Sequence, residues 1–151
     1  DSKATNLAAT RSALFSLDRP VILLLGGKDK GEDFAELVDA LVGRVRAVLA
    51  YGAAGQRAAT ELRAALVSAE AASVPASEAF QPSGGGLAPK LLDGPEVVVV
   101  DGGMEDVVAR ASRVAGDGDV VLLSPACSSF DMYESYEHRG RHFAALAKEV
   151  A

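Results

Sequence analysis

Four short apolar runs, each closed by glycine or by a small polar residue and separated from the next by a segment of helical spacing, constrain this chain more than any other feature. "VILLL" (Val21 to Leu25) ends in Gly26-Gly27, "AVLAY" in Gly52, "EVVVV" in Asp101-Gly102-Gly103 and "DVVLL" in Ser124-Pro125. Runs that are apolar throughout, rather than alternating, suit strands covered on both faces, which in turn means parallel strands joined by helical crossovers. The segments between them agree. Leu7, Thr10, Ala13, Leu14 and Leu17 share one stripe, so a first helix is predicted over Ala4 to Leu17, stopped by Pro20. Phe34, Leu37, Val38, Leu41 and Val42 repeat the pattern behind Asp33, a good capping residue. "AGQRAATELRAAL" and "MEDVVARASRVA" continue it after the second and third strands. The prediction is an α/β fold, a Rossmann-like, mostly parallel twisted sheet flanked by helices on both faces. "SVPASEAFQPSGGGLAPKLLDGP", rich in Pro, Ser and Gly, reads as a surface loop without chemistry of its own.

With 151 residues, 49% of them hydrophobic and 24% charged, the chain suits one domain, residues 1–151. Its formal net charge of -6 argues against a nucleic-acid partner, because a phosphate backbone is normally met by clustered Lys and Arg. A single cysteine, Cys127, rules out an intrachain disulfide and fits a reducing compartment. The longest apolar runs fall well short of the roughly 20 residues a membrane helix needs, and "DSKATN" is no signal peptide. A soluble, cytoplasmic monomer with no membrane partner is expected.

In open parallel sheets, ligands collect beyond the carboxyl ends of the strands. The loop "GGKDKGEDF" after the first strand is therefore the first place to look. Gly26 and Gly31 have Walker A spacing, but Glu32 and Asp33 stand where that loop needs Lys and a hydroxyl, and carboxylates repel phosphate. Lys28 and Lys30 remain, suited to a smaller anion such as a carboxylate. After the last strand, "SPACSSFDMYESYEHRGRHF" offers Ser128, Ser129 and backbone amides for a second carboxylate. Cys127 has no assignable base and is read as structural. His138 and His142 lack a third ligand at metal-site spacing and are read as surface residues, and Asp131, Glu134, Glu137 and Arg139 as caps and ion pairs. No metal site is expected. A second reading is a stand-alone flavodoxin-like or receiver-like module that binds without catalysis, with Asp101 the only plausible phospho-acceptor.

Three stretches, "DSKATN" at Asp1 to Asn6, "LLLGGKDKGEDF" at Leu23 to Phe34 and "LLSPACSSFDMYESYEHRGRHFAALAKEV" at Leu122 to Val150, resemble the carboxy-terminal domain of a Mur ligase, in the branch that adds D-glutamate. The resemblance implies the amino-acid-binding third of a three-domain enzyme. In such ligases ATP and Mg2+ activate a carboxylate to an acyl phosphate, which the incoming amine attacks. The amino-terminal nucleotide-sugar domain and the central ATPase domain, and with them the catalytic residues, would lie outside this chain, leaving the fragment inactive by itself and holding no cofactor. Carried over by motif, Lys30 would pair with a carboxylate of D-glutamate, while Thr5, Ser129, Phe130 and Tyr136 complete the pocket. Lys3 would face the reacting groups and Asp1 the nucleotide. Tyr136 departs from the Phe common at its position, which leaves a backbone contact as its part in the pocket.

Overall fold

A computed structural model describes residues 1–73 and 94–151. The elements run α1 (Leu7–Phe15), β1 (Val21–Gly26), a 3-10 turn (Phe34–Leu37) continuing into α2 (Val38–Leu41), β2 (Val45–Tyr51), α3 (Gly55–Ser73), β3 (Glu96–Val100), α4 (Met104–Val114), β4 (Val120–Leu123) and α5 (Tyr136–Val150). The four strands are all parallel in the order β3-β2-β1-β4. The expected α/β architecture is present. The predicted loop from Ser73 to Pro95 lies mostly outside the described residues.

β1 sits between two strands and two helical layers, which is why its sequence shows no alternation. Val21, Leu23 and Leu25 point to one core, with Leu7 and Leu14 of α1, Leu37, Leu41, and Ala58 and Leu62 of α3. Ile22 and Leu24 point to the other, with Met104, Val107 and Val108 of α4 and Phe143 and Leu146 of α5. Each fully buried Leu or Ile contributes about 1.5–3 kcal/mol relative to an exposed one. Between Val21 and Ile22 the register with β2 slips by one residue. The slip leaves Arg46 unpaired in the ladder and exposed, where it meets Asp119 at 2.9 Å.

Helix α1 is shorter than its periodicity predicts, because Asn6 stops it at the front. The Asn6 side chain accepts from Ala9 N at 2.8 Å, and Glu32 Oε2 accepts from Leu7 N at 3.3 Å. Ala4 is thereby released from the helix, and its carbonyl accepts from Ala126 N at 2.9 Å. Asn6→Ala is expected to cost about 1 kcal/mol of folding free energy, read as a lowered urea midpoint at unchanged m-value. The second predicted helix closes early for a related reason: Gly43, at φ +76, turns the chain into β2 and leaves Val42 exposed. No described helix is long and apolar enough to cross a membrane.

Candidate functional site

The strand order reverses at β1: β2 and β3 lie on one side of it and β4 on the other. The chain leaving β1 and the chain leaving β4 therefore diverge, and the crevice at such a switch point is where open α/β sheets take ligands. Here the two loops are tied together. Lys28 N donates to Ser128 O at 2.9 Å, Ser128 N returns a bond to Lys28 O at 3.0 Å, and Ser128 Oγ adds a second to the same carbonyl at 3.0 Å. Segment 1–5 lies across both loops. Asp1 N donates to Leu123 O, Ser2 Oγ to Tyr136 O at 2.7 Å, and Lys30 Nζ to Thr5 O at 3.1 Å.

Three stretches far apart in sequence thus form one rim, and most of the residues singled out from the sequence lie on it. Lys30 is exposed and spends one of its three ammonium donors on Thr5, leaving two for an anion. Lys3 is exposed on the same segment, Thr5 is partly buried and Asp1 is exposed. Phe130 stands out from the surface at 69% exposure. Ser129, at 3%, is buried below it, and its carbonyl accepts from Met132 N and Tyr133 N at 3.1 and 2.8 Å. Ser128 is the less buried of the two serines, and its hydroxyl is bonded to Lys28 O. Tyr136 opens α5 and gives its backbone oxygen to Ser2.

The loop after β1 is not a phosphate cradle. A cradle needs a run of free amides, and the glycine amides and that of Lys28 are spent: Gly26 N on Pro125 O, Gly27 N on Tyr51 O, Lys28 N on Ser128 O, and Gly31 N on the Asp29 side chain. Among the described residues no three His, Cys, Asp or Glu side chains gather as metal ligands. Cys127 is buried, and burial pushes its thiol up to about 12, so it stays protonated near neutral pH and is a poor nucleophile. His138 is exposed, as expected, with its ring edge-on to Tyr133. His142 is more engaged than expected, with Nδ1 2.8 Å from Tyr133 Oη and Nε2 3.3 Å from Glu105 Oε1. Asp131 is a cap, accepting from Ala53 N at 3.0 Å ahead of α3. Asp101 follows β3, an edge strand of this sheet.

Arg139 departs most from its sequence reading. It is not a surface ion-pair residue: its exposure is 0%, and no carboxylate pairs with it among the described residues. Its guanidinium donates through Nη1 to Cys127 O at 3.1 Å, through Nη2 to Ser2 O at 2.9 Å and through Nε to Ser2 Oγ at 3.1 Å. One fork thus clamps segment 1–5 to the loop after β4, and it sets a buried guanidinium beneath the rim. A signal for this was present. Arg139, Phe143 and Leu146 fall at one helical stripe, and a charged residue on a packed stripe needs a buried role. Ala126, in the same loop, is held at φ +57, the only non-glycine with positive φ among the described residues. The backbone there is bent to bring Ala126 N to Ala4 O.

Comparison with known proteins gives the family. A family described as "Mur ligase, glutamate ligase domain" matches residues 1–127. Proteins named UDP-N-acetylmuramoylalanine--D-glutamate ligase align over essentially the whole chain. The one from Salinibacter ruber is 43% identical over 150 residues, 99% of this chain and 26% of its own length. That from Koribacter versatilis is 40% identical over 151 residues, 100% of this chain and 26% of its own length. That from Albidiferax ferrireducens is 43% identical over 153 residues, 100% of this chain and 24% of its own length. The chain thus spans about a quarter of the length of these relatives. On the strength of that match and of the shared coverage, this chain belongs to the Mur ligase family, in its glutamate ligase domain.

Proposed function

We propose that this chain is the amino-acid-binding domain of a cytoplasmic, monomeric ligase that joins D-glutamate to UDP-N-acetylmuramoyl-L-alanine in peptidoglycan precursor synthesis. The observation that carries the reading is the approach of Lys30 Nζ to Thr5 O at 3.1 Å, which sets a free ammonium at the rim between segment 1–5 and the loop after β4. D-glutamate presents two carboxylates and one amine. Fixing the carboxylates orients the amine, and that positioning is where a binding domain contributes most to an acyl transfer. Lys30 takes one carboxylate through a charge-assisted bond, and Thr5, Ser129, the Phe130 backbone region and Tyr136 line the remainder. The buried guanidinium of Arg139 favours the same dianion from below. Lys3 faces the reacting groups and Asp1 the nucleotide.

ATP with Mg2+ is the activating pair in this reading. The residues after β1 do not fit a triphosphate, because the amides of Gly26, Gly27, Lys28 and Gly31 are already bonded and Glu32 and Asp33 stand where a phosphate loop needs a lysine and a hydroxyl. We assign that pair, and the nucleotide sugar, to the three quarters of the relatives' length that this chain does not cover. In the full-length enzyme, Lys30→Ala should lower the apparent affinity for D-glutamate by about ten- to a hundredfold, the equivalent of roughly 1.5–3 kcal/mol for a charged hydrogen bond. The ATP KM should stay where it is. Steady-state titration of each substrate decides, and a raised ATP KM with unaltered D-glutamate saturation would refute the reading.

A further inference from the structure

Arg57 stands where a cation is poorly placed, in the first turn of the 19-residue helix α3, against the positive end of the helix dipole. Its surroundings account for it. Nη1 pairs with Asp29 Oδ2 at 2.7 Å, Nη2 donates to Glu32 O at 2.7 Å, and Nε donates to Glu61 Oε1 at 2.7 Å. Glu61, one turn further along α3, accepts from Phe34 N at 3.0 Å through its other oxygen. The guanidinium carbon lies 5.4 Å from the centre of the Phe34 ring. Asp29 in turn accepts from Gly31 N, closing a tight turn at φ +86, and the Arg57 guanidinium holds its carboxyl below the usual range. Three points of the loop, at Asp29, Glu32 and Phe34, are therefore gathered on one side chain of α3.

The loop so gathered is the one that carries Lys28 and Lys30. Lys28 is tied to Ser128 by backbone bonds, but from Asp29 to Asp33 the remaining anchors are few: Lys30 Nζ on Thr5 O, and the Glu32 carboxylate on Leu7 N. Exposed ion pairs add little to global stability. Their effect here is local, on a short loop that would otherwise exchange among many conformations. Only a planar fork meets three acceptors in three directions, so a lysine at this position would keep the charge and lose the geometry.

We propose that Arg57 is a positioning residue that fixes the loop after β1, and thereby sets how well Lys30 receives a carboxylate of the amino-acid substrate; this rests on the functional reading given above. The test uses two readouts on the full-length enzyme. Amide hydrogen exchange at Gly31 and Phe34 should accelerate by about tenfold or more in both Arg57→Ala and Arg57→Lys, with the rest of the domain unchanged. Arg63→Ala, which removes the α3 guanidinium that donates to Val97 O, should leave those two amides as they are. In parallel, the D-glutamate KM should rise about tenfold in both Arg57 variants while kcat stays within about threefold. Full rescue by Lys, or exchange at Gly31 and Phe34 that does not change, overturns the proposal whatever the substrate. A parent enzyme that ignores D-glutamate refutes the functional reading instead, and the two amides then still decide whether Arg57 holds the loop. Faster exchange with an unaltered KM overturns the link to substrate.

Discussion

Gly27→Ala should destabilise the domain by about 3–5 kcal/mol, lowering its Tm by roughly 10 °C, and should abolish binding at the rim. Gly27 has φ +131, a conformation that a side chain strains. A Cβ there would collide with Ser128 O and lie 3.1 Å from Arg139 Nη1 and 3.2 Å from Cys127 Cβ. None of these neighbours can move cheaply. Ser128 O accepts from Lys28 N, the guanidinium is fully buried, and Cys127 lies in the core. The methyl would therefore push apart the two loops that form the crevice. Thermal unfolding of Gly27→Ala beside the parent is the measurement, and an unchanged midpoint would show that the loops do not depend on this contact.

Arg139→Met is expected to cost about 2–4 kcal/mol and to release segment 1–5 from the loop after β4. Two effects oppose each other. Removing a buried, unpaired charge relieves desolvation, which favours the variant. Against that, the Ser2 and Cys127 carbonyls and the Ser2 hydroxyl lose their donor, and the carbonyl of Cys127 is in the buried part of the site. Orphaned buried acceptors cost about 1–3 kcal/mol each, so the loss outweighs the relief. The distinguishing readout is local: amides of residues 3–5 should exchange much faster than the unfolding free energy alone accounts for. Arg139→Lys should resemble Met, since an ammonium cannot span both carbonyls and the hydroxyl in the fork's geometry. If Lys restores parent behaviour, charge rather than the clamp is what the position supplies.

These two positions also mark where the sequence stops being sufficient. Gly26-Gly27 is legible as the end of a strand, and its failure as a phosphate loop is legible from Glu32 and Asp33. That Gly27 must lack a side chain because Ser128 comes within contact is not, for the two residues are far apart in the chain and meet only when β1 and β4 pair. Arg139 shares a stripe with Phe143 and Leu146, a partial signal, but otherwise reads as a surface charge in a helix of many charges. Only the packing of α5 against the segment ahead of α1 buries it, because burial is set by what lies opposite a helix face and not by the face itself. For Arg57 the sequence shows only its i,i+4 spacing from Glu61: its loop partners lie 25 to 28 residues before it or are reached through Glu61.

By itself the sequence determined the order and type of the elements, the parallel sheet and the two-sided core, because side-chain periodicity is local and apolar runs leave few ways to be buried. It also determined the family, through "DSKATN", "GGKDKGEDF" and "SPACSSFD", and it directed the search for a site to the strands' carboxyl ends. Tertiary structure decided the rest: that α1 begins at Leu7 and frees Ala4 to meet Ala126, that Ser129 is buried and Ser128 less so, and that Arg139 and Arg57 tie the rim from below and from the side. Those outcomes are hydrogen bonds between residues far apart in the chain, and their geometry exists only once the sheet has brought the strand ends together.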